Sequence, residues 1–415
     1  MKFKLTSIEK KWVLYDVANS AFTLLASTII PIYFNYLAGS ANLSDTDYLA
    51  YWGYAVSIAT AIVAVLGPML GSASDLRGWK KNIFLVLLLV GASGCVLLGI
   101  VQSWLWFLLL FIFAKVAYSL SLVIYDSMLT DVTDEERMDE ISSCGYAWGY
   151  IGSCIPFVAC LLLVLFYEKL SLSMETAMGI SFFLIALWWV LLTLPLLTGY
   201  RQKHYVTAES HPVRSTFKRL GHVFSELKHD KKILFFLIAF FFFIDGVYTI
   251  IDMATAYGTA LGLDTTGLLL ALLVTQIVAF PAALIFGRLS RKVKTSRLIL
   301  ICIAAYFCIA VYGVGLYQQY QFWILAICVG LFQGAIQSLS RSYFAKIIPP
   351  ERSGEYFGIY DICGKGASLL GTTVVSVVAQ LTDNANLGVG ALSVMFLLGG
   401  IFFCMTEKVR DKTES

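Results

Sequence analysis

The chain alternates between long apolar stretches and short polar connections. A helix that crosses the hydrocarbon core of a membrane needs about 20 mostly apolar residues, and twelve stretches meet this requirement. Their approximate ranges are 12–36, 53–72, 82–101, 104–128, 141–167, 176–198, 232–258, 266–287, 297–317, 321–344, 355–380 and 387–405. The pattern therefore predicts an all-α integral membrane protein with twelve transmembrane helices, which we call spans 1 to 12.

The basic residues predict the orientation of the spans. Lys and Arg fall in the two tails and in the connections on the side of the N-terminus, whereas the six loops on the opposite side contain only Lys169. Since loops rich in Lys and Arg remain in the cytoplasm, we expect both termini to be cytoplasmic. We call the side that carries the N-terminus the inner side and the opposite side the outer side.

The composition excludes several classes of protein. The 415 residues are 59% hydrophobic and 14% charged, whereas soluble proteins average about 45–50% apolar and about 25% charged. The net charge of +3 gives no indication of a nucleic-acid partner. The nine cysteines lie singly and the four histidines fall in one polar stretch, so we expect no disulfide framework and no metal site. We find no nucleotide-binding motif or catalytic constellation, and therefore expect neither an enzyme nor a cofactor.

The two halves of the chain resemble each other. Glu136-Arg137 after span 4 matches Glu351-Arg352 after span 10 at an offset of 215 residues. A parallel repeat of six plus six spans is typical of many secondary transporters. The predicted domains are a six-helix bundle over residues 1–199, a basic inner linker with an amphipathic helix over residues 200–231, and a second six-helix bundle over residues 232–415.

The connection after span 2 carries a recognisable motif. Residues 71–81 read GSASDLRGWKK, which resembles the major facilitator signature Gly-x-x-x-Asp-(Arg/Lys)-x-Gly-(Arg/Lys)-(Arg/Lys), with Leu76 and Trp79 as departures. A second copy begins at Gly287 but lacks the acid. The resemblance implies the major facilitator fold, in which two pseudo-symmetric bundles rock around a central cavity lined by spans 1, 4, 7 and 10.

Three further segments narrow the resemblance. They read YDVANSAF from residue 15, DGVYTII from residue 245 and QGAIQSLSRS from residue 333. These segments resemble the vacuole-effluxer-like family, which includes autophagy-linked vacuolar amino-acid exporters, and the resemblance implies a solute exporter. Because the chain lacks the long insertions of the fungal members, we expect a protein of the bacterial cytoplasmic (inner) membrane, and a monomer, as is usual in the superfamily.

Ionisable residues inside the spans are candidates for the functional site, because such residues are costly in a bilayer. In span 7, Asp245 lies near mid-depth, and Tyr248 and Asp252 follow on the same helix face. A carboxyl in a partly dry cavity can carry a proton, so Asp245 is the predicted proton or substrate carboxyl. Lys115 in span 4 is predicted to anchor a substrate or to neutralise Asp245. The alternative for both is a structural contact between helices.

Four more polar residues are candidates for the same site. Gln333 and Gln337 lie on one face of span 10 and suit a zwitterionic or hydroxylated ligand. Asn19 in span 1 and Lys365 in span 11 complete the predicted set. Hydrogen bonding between helices is the alternative for the two glutamines, and an ion pair with Asp361 is the alternative for Lys365.

Charged residues at a similar depth near the inner end predict a gate. They come from four different spans and are Asp16, Asp126, Arg341 and Asp361. We expect ion pairs among them that break and form as the bundles rock.

The motif after span 2 predicts a conformational latch. Asp75 should cap the start of span 11, where a negative charge interacts favourably with the positive end of the helix dipole. We expect the motif residues Gly71, Gly78 and Lys80 to belong to the same latch.

Together, these features predict a secondary transporter that works by alternating access. The expected activity is proton-coupled efflux of a small polar or amphipathic solute, with amino acids or short peptides first, in contact with membrane lipids. Sodium is the alternative coupling ion. The alternative substrate is a larger amphipathic molecule such as a drug, a lipid or a tetrapyrrole, and the alternative of another class is a non-transporting membrane sensor.

Overall fold

The computed structural model describes residues 4–207, 227 and 230–409 of the chain. This part contains twelve helices that are long and apolar enough to cross a membrane, which confirms the predicted number of spans. The ordered secondary structure of the described residues is helical, apart from a single bridge between Leu76 and Val206.

The helices extend beyond their apolar centres at most ends. The first six spans are Ser7–Ser27 continued by Ile29–Ser40, Asp45–Ser74, Trp79–Leu98, Trp104–Ser127, Met138–Leu165 and Met174–Gly199. The last six are Lys231–Ala260, Thr265–Leu289, Thr295–Val314, Gln319–Ile347, Ser353–Thr382 and Leu392–Lys408. Short helical segments in the connections are Leu129–Val132, Glu135–Arg137, Pro350–Arg352 and Ala385–Gly390. Polar residues at the span ends continue the helices outside the apolar stretch, so hydropathy alone placed most boundaries too far inward.

Span 1 begins at a capping box, which also ties it to a neighbouring connection. The Glu9 backbone N–H donates to the Thr6 hydroxyl at 3.3 Å, and the Thr6 N–H donates to the Glu9 carboxylate at 2.7 Å. This reciprocal pair satisfies backbone donors that the first turn leaves free. The same Glu9 carboxylate is buried and binds Arg137 at 2.7 Å. Arg137 belongs to the repeated Glu-Arg pair, so the pair after span 4 holds the start of span 1.

The internal repeat is visible in the structure. The turns Glu135–Arg137 and Pro350–Arg352 are both short 3₁₀ helices that directly precede spans 5 and 11. They lie at the same offset that relates the two halves of the sequence. The fold is thus a pair of pseudo-symmetric six-helix bundles, and the limits of the domains at residues 199 and 232 remain a prediction.

The two bundles meet along two seams. Span 2 packs against span 11, and span 5 packs against spans 8 and 10. In the first seam the backbones touch, because a Cβ atom on Gly71 would lie only 2.1 Å from the Gly354 carbonyl oxygen. In the described residues, hydrogen bonds and ion pairs between the bundles cluster at the inner end. The molecule is therefore closed on its inner side.

Most of the inner linker lies outside the described residues. The amphipathic helix predicted for it falls largely within residues 208–226 and stays a prediction. The start of the linker, residues 200–207, is described and follows an extended path along the inner surface.

Candidate functional site

Arg341 occupies the centre of the inner closure. Its side chain is 2% exposed, and its guanidinium donates to Asp126 at 2.9 Å and to Asp16 at 3.2 Å. It also donates to the Ser142 hydroxyl at 2.9 Å and to the Ser142 carbonyl at 3.1 Å. One arginine from span 10 thus connects spans 1, 4 and 5 of the other bundle. Because the guanidinium presents several donors in a fixed plane, it can serve two carboxylates and a backbone carbonyl at once.

Aromatic rings enclose the same guanidinium. Its carbon lies 4.7 Å from the ring centre of Trp12, 5.6 Å from that of Tyr125 and 4.4 Å from that of Tyr146. Such contacts between a cation and aromatic faces are stabilising, more so where water is excluded. These rings are not among the residues that were predicted for the gate. The available signals were that Trp12 lies one helical turn before Asp16 and that Tyr125 directly precedes Asp126.

A glycine in span 5 makes room for the closure. A Cβ atom on Gly145 would lie 2.1 Å from the Asp16 carboxylate and 3.2 Å from the Arg341 guanidinium. Any side chain at this position would push Asp16 away from Arg341. Gly145 is therefore required for the ion pair to form in this geometry.

Asp361 forms the intrahelical pair that was predicted as an alternative, and Asn19 lies beside the gate. Asp361 forms an ion pair with Lys365 of its own helix at 2.6 Å and does not bind Arg341, because a partner four residues away on the same face is closer. The Asn19 amide donates to the Tyr15 carbonyl at 3.0 Å and to Asp16 at 3.4 Å. Asn19 is buried and so lies beside the gate rather than in an open cavity.

Asp245 is fully buried against span 11. One carboxylate oxygen accepts hydrogen bonds from the Gly371 N–H at 3.1 Å and from the Thr249 hydroxyl at 3.4 Å, and the other has no partner among the described residues. A Cβ atom on Gly371 would lie 2.7 Å from the carboxylate. The absence of a side chain at Gly371 lets the two helices meet around this acid.

The shared face predicted for span 7 is only partly realised. Asp252 is exposed and Tyr248 half-buried, whereas Asp245 is covered by span 11. The three residues have the expected helical spacing, but the covering of this face decreases along the helix away from Gly371. The structure therefore separates a buried acid from an accessible one.

A cluster of mixed charges lies between the bundles near mid-depth. The charged groups that act on Lys115 are Lys365, Asp252 and Asp361, and Lys115 also lies 5.9 Å from the ring centre of Tyr118. Asp245 is not among these groups, so the structure does not support Lys115 as its counter-charge. Span 4 of one bundle and spans 7 and 11 of the other instead bring two cations and two carboxylates together.

The two glutamines of span 10 differ in accessibility. Gln333 is 3% exposed, and Gln337 is half-buried. Gly334 lies beside Gln333 and leaves space for the ring of Tyr150 from the other bundle. A Cβ atom on Gly334 would lie 3.0 Å from this ring. This part of span 10 therefore packs closely against span 5, and Gln337 is the more accessible of the two amides.

The Asp75 carboxylate lies at the first turn of span 11, where the sequence analysis predicts it. It accepts hydrogen bonds from the Gly354 N–H at 2.8 Å and the Glu355 N–H at 2.9 Å. Lys80 is 3.4 Å from this carboxylate and donates to the Ser353 hydroxyl at 2.9 Å. Burial raises the pKa of Asp75 to about 6, against the opposing effects of Lys80 and the two N–H groups. The carboxylate remains largely ionised at neutral pH and can interact with the helix dipole.

Gly78 shapes the connection that carries this acid. Its φ of 79° lies in the left-handed region, which glycine adopts without the steric cost that a Cβ imposes. It directly precedes span 3 and allows the chain to reverse between Asp75 and Lys80. The second glycine of the motif is thus required by the turn.

The second copy of the motif forms a contact of inverted charge. Arg291 occupies the position equivalent to Asp75, four residues after the motif glycine, and binds Glu140 in the first turn of span 5 at 2.6 Å. Beside it, Asp139 binds Lys346 at 2.6 Å and accepts hydrogen bonds from Ser342 and Thr295. This seam was not predicted from the sequence, although two acids at the start of span 5 face a connection rich in Lys and Arg.

The start of the linker is bound to the inner surface by Asp131. This buried carboxylate accepts hydrogen bonds from the backbone N–H groups of Lys203 and His204 at 3.0 and 2.9 Å, and from the Tyr200 hydroxyl. Lys80 lies 3.9 Å away. The linker start is thereby attached next to the latch. Among the described residues, no group of three potential metal ligands comes together.

Known proteins resemble this chain in sequence. The family model described as vacuole effluxer Atg22 like matches residues 7–415. The uncharacterized MFS-type transporter YxiO from Bacillus subtilis is 39% identical over 404 residues, which are 96% of this chain and 94% of that protein. Autophagy-related protein 22-1 from Neosartorya fischeri is 28% identical over 302 residues, which are 66% of this chain and 49% of that protein. The chain thus matches about half the length of this fungal relative.

Solved structures share the fold. The major facilitator superfamily transporter FucP in the outward conformation has a TM-score of 0.74 at 13% identity, over 96% of this chain and 97% of that one. A bacterial homologue of the iron transporter ferroportin in the outward-facing state has a TM-score of 0.71 at 16% identity, over 97% and 100%. At this level of identity, the likeness shows the fold alone. The match over nearly the whole length shows that the chain belongs to the Atg22-like vacuole effluxer family of the major facilitator superfamily, whose fold and relatives mark it as a transporter and not an enzyme.

Proposed function

We propose that this transporter couples the efflux of a small zwitterionic solute to the movement of protons, with amino acids or short peptides as the first candidates. It would act by alternating access in a bacterial cytoplasmic membrane, with both termini in the cytoplasm. On this proposal the inner closure is the cytoplasmic gate, and the described structure is the outward-facing state. A monomer is sufficient for the activity.

The mixed-charge cluster carries the proposal of a zwitterionic solute. Lys115, with Asp361 and Lys365, offers both signs of charge at one level of the membrane, together with the exposed Asp252. A solute with an ammonium and a carboxylate can replace these mutual contacts with contacts of its own. Placing charged groups in a medium of low dielectric constant costs free energy unless the charges are paired. An apolar solute would leave this arrangement without a role.

Asp245 is proposed as the proton site. Its unpartnered carboxylate oxygen lies in the protein interior with no basic group bound to it among the described residues. Protonation would supply a hydrogen-bond donor in place of a buried charge. Because the other oxygen is bound to the Gly371 N–H in span 11, a change of protonation can be transmitted to the helix that carries Asp361 and Lys365.

Flux measurements in proteoliposomes test this proposal. A pooled panel of metabolites would be screened under a pH gradient, and separately under a sodium gradient, with the parent and Asp245→Asn. We expect a solute to accumulate with the pH gradient in the parent, and Asp245→Asn to lose this accumulation while retaining solute–solute counterflow. Asp383→Asn, an exposed acid at the outer end of span 11, is the matched control and should behave as the parent.

Four outcomes would contradict the proposal. Gradient-independent flux that is unchanged in Asp245→Asn would make Asp245 structural. Accumulation driven by a sodium gradient alone would show that sodium, and not the proton, is the coupling ion. Transport of a larger amphipathic molecule, such as a drug, lipid or tetrapyrrole, in preference to amino acids would show that the proposed substrate class is wrong. An absence of flux with retained ligand binding would favour a membrane sensor.

A further inference from the structure

A cavity of about 360 Å³ opens at the inner end between the two bundles, away from the central path. Its walls come from the N-terminal segment, from span 5 and from span 8. The volume lies within the range of small-molecule sites in proteins. Nothing in the proposed transport cycle uses this cavity.

The rim of the cavity is basic. Lys4 and Lys10 from one side and Arg288 from the other are exposed, and among the described residues none of the three has a carboxylate partner. Elsewhere at the inner end, Arg341, Lys346 and Arg137 all bind acids. Three cations around one opening, each without a carboxylate partner in the part of the chain that the structure describes, favour an anionic group between them.

A buried acceptor inside the cavity limits which anion fits. Glu140 is 6% exposed and lines the wall. One of its oxygens binds Arg291 at 2.6 Å, while the other has no hydrogen-bond partner among the described residues. A buried acceptor without a partner costs free energy. A ligand that brings a hydroxyl donor as well as a negative charge would satisfy both this oxygen and the rim.

The wall below the rim is apolar and partly exposed. Leu284 lies one helical turn before Arg288, about 6 Å deeper along span 8. Trp148 is 46% exposed, lines the cavity and contacts the ring of Phe280 at 5.3 Å between centres. These rings join the two bundles at an exposed surface within the length of spans 5 and 8. A polar head at the rim could therefore continue into acyl chains along this wall.

We propose that this cavity binds the headgroup of an anionic phospholipid that carries hydroxyl donors, with phosphatidylglycerol as the probe. The phosphate lies between Lys4, Lys10 and Arg288, a headgroup hydroxyl donates to Glu140, and an acyl chain covers Trp148. Basic pockets between spans on the cytoplasmic side are suited to lipid headgroups. Since the walls come from both bundles, the bound lipid stabilises the state that is closed on the inner side.

Native mass spectrometry of the purified full-length protein tests the proposal. The probes are phosphatidylglycerol, phosphatidylcholine, which is zwitterionic and lacks a headgroup donor, and glycerol 3-phosphate, which has the polar group without acyl chains. We expect one phosphatidylglycerol to bind. A basic residue near an anionic headgroup contributes about fivefold in affinity, so the double variant Lys10→Ala/Arg288→Ala should weaken binding by about 25-fold.

Two further variants separate a charge effect from misfolding. Lys81→Ala/Arg297→Ala is the control, because it removes one exposed lysine and one exposed arginine that both lie outside the cavity. Its affinity for phosphatidylglycerol should stay within about twofold of the parent. Lys10→Arg/Arg288→Lys keeps both charges and should retain most of the binding. Equal binding of phosphatidylcholine, or an unchanged affinity in Lys10→Ala/Arg288→Ala, would overturn the proposal. Equally tight binding of glycerol 3-phosphate would show that the cavity binds a free anion, and would overturn the proposal that its ligand is a lipid.

Discussion

At the scale of single residues, the inner closure depends on one arginine that compensates two carboxylates, of which Asp16 is buried and Asp126 is half-buried. Asp16 and Asp126 come from different spans and would repel each other without Arg341. Breaking a buried ion pair by removing one partner costs about 3–5 kcal/mol, because the remaining charge is left uncompensated. That cost applies to the closed state, since opening exposes both acids to water.

Replacing this arginine should open the inner side. We expect Arg341→Ala to shift the population from closed to open by a factor of 100 or more, since about 3 kcal/mol corresponds to that ratio. Distances between spin labels at Glu136 and Glu351, two exposed residues in the inner turns of the two bundles, would become longer. Arg297→Ala, at an exposed arginine outside the closure, is the control. An unchanged distance distribution in Arg341→Ala would show that the ion pairs do not hold the closed state.

The glycine beneath this ion pair gives a second test at the same scale. Gly145→Ala places a methyl group where Asp16 now lies, so the carboxylate or the helix must move, and overpacking of this kind costs about 1–3 kcal/mol. We expect a lower unfolding temperature, measured by intrinsic fluorescence in detergent. Gly400→Ala, where the nearest atom is 3.6 Å from the added Cβ, should leave the unfolding temperature unchanged. Equal effects of the two changes would contradict the steric argument.

Sequence patterns identified the charges of the closure but not what surrounds them. Asp16, Asp126 and Arg341 are conspicuous because each interrupts an apolar span. The enclosing rings and Gly145 belong to residue types that are common in any membrane helix, so only their packing shows their role. Asp361 was grouped with the gate by its depth, yet depth does not determine the direction of a side chain, and its nearest partner is Lys365.

At the scale of elements, the two copies of the motif make equivalent contacts with opposite charge. The first copy places an acid, Asp75, on the backbone N–H groups that begin span 11. The second places a base, Arg291, on an acidic side chain, Glu140, that begins span 5. In the second copy, which lacks the acid, an ion pair between side chains therefore takes the place of the contact between a carboxylate and backbone N–H groups. In the sequence, only the acids at the start of span 5 indicate this ion pair.

Exchanging the charges of the second latch tests its contribution. Arg291→Glu and Glu140→Arg should each open the inner side, because like charges then face each other, and the double exchange should restore part of the closed population. Arg291 is partly exposed, so the pair itself contributes on the order of 1 kcal/mol or less. The same two spin labels report the result, with Arg297→Glu as a control for added negative charge. Additive effects of the two single changes, without rescue, would exclude a direct pair.

At the scale of the whole molecule, the spans followed from the sequence because a bilayer imposes their length. Backbone groups in the hydrocarbon must be satisfied internally, so an apolar stretch of sufficient length has few alternatives to a spanning helix. No comparable constraint determines which state is populated or which faces are covered. This is why Asp245, predicted to share one face of span 7 with Tyr248 and Asp252, is covered by span 11 at Gly371 while Asp252 is exposed.

Alternating access requires that the contacts closing the inner side be broken once in every cycle. The hydroxyl oxygens of Ser143 and Ser338, in opposite bundles, lie 3.0 Å apart, so the two side chains face each other, as a disulfide between cysteines at these positions requires. In a background without the native cysteines, Ser143→Cys/Ser338→Cys should cross-link under oxidation and lose at least nine-tenths of the flux measured in proteoliposomes. Reduction should restore it, and each single variant should be insensitive to oxidant. Flux that persists through a completed cross-link would mean that the solute crosses without separation of spans 5 and 10, and the rocking of two bundles would have to be abandoned for this protein.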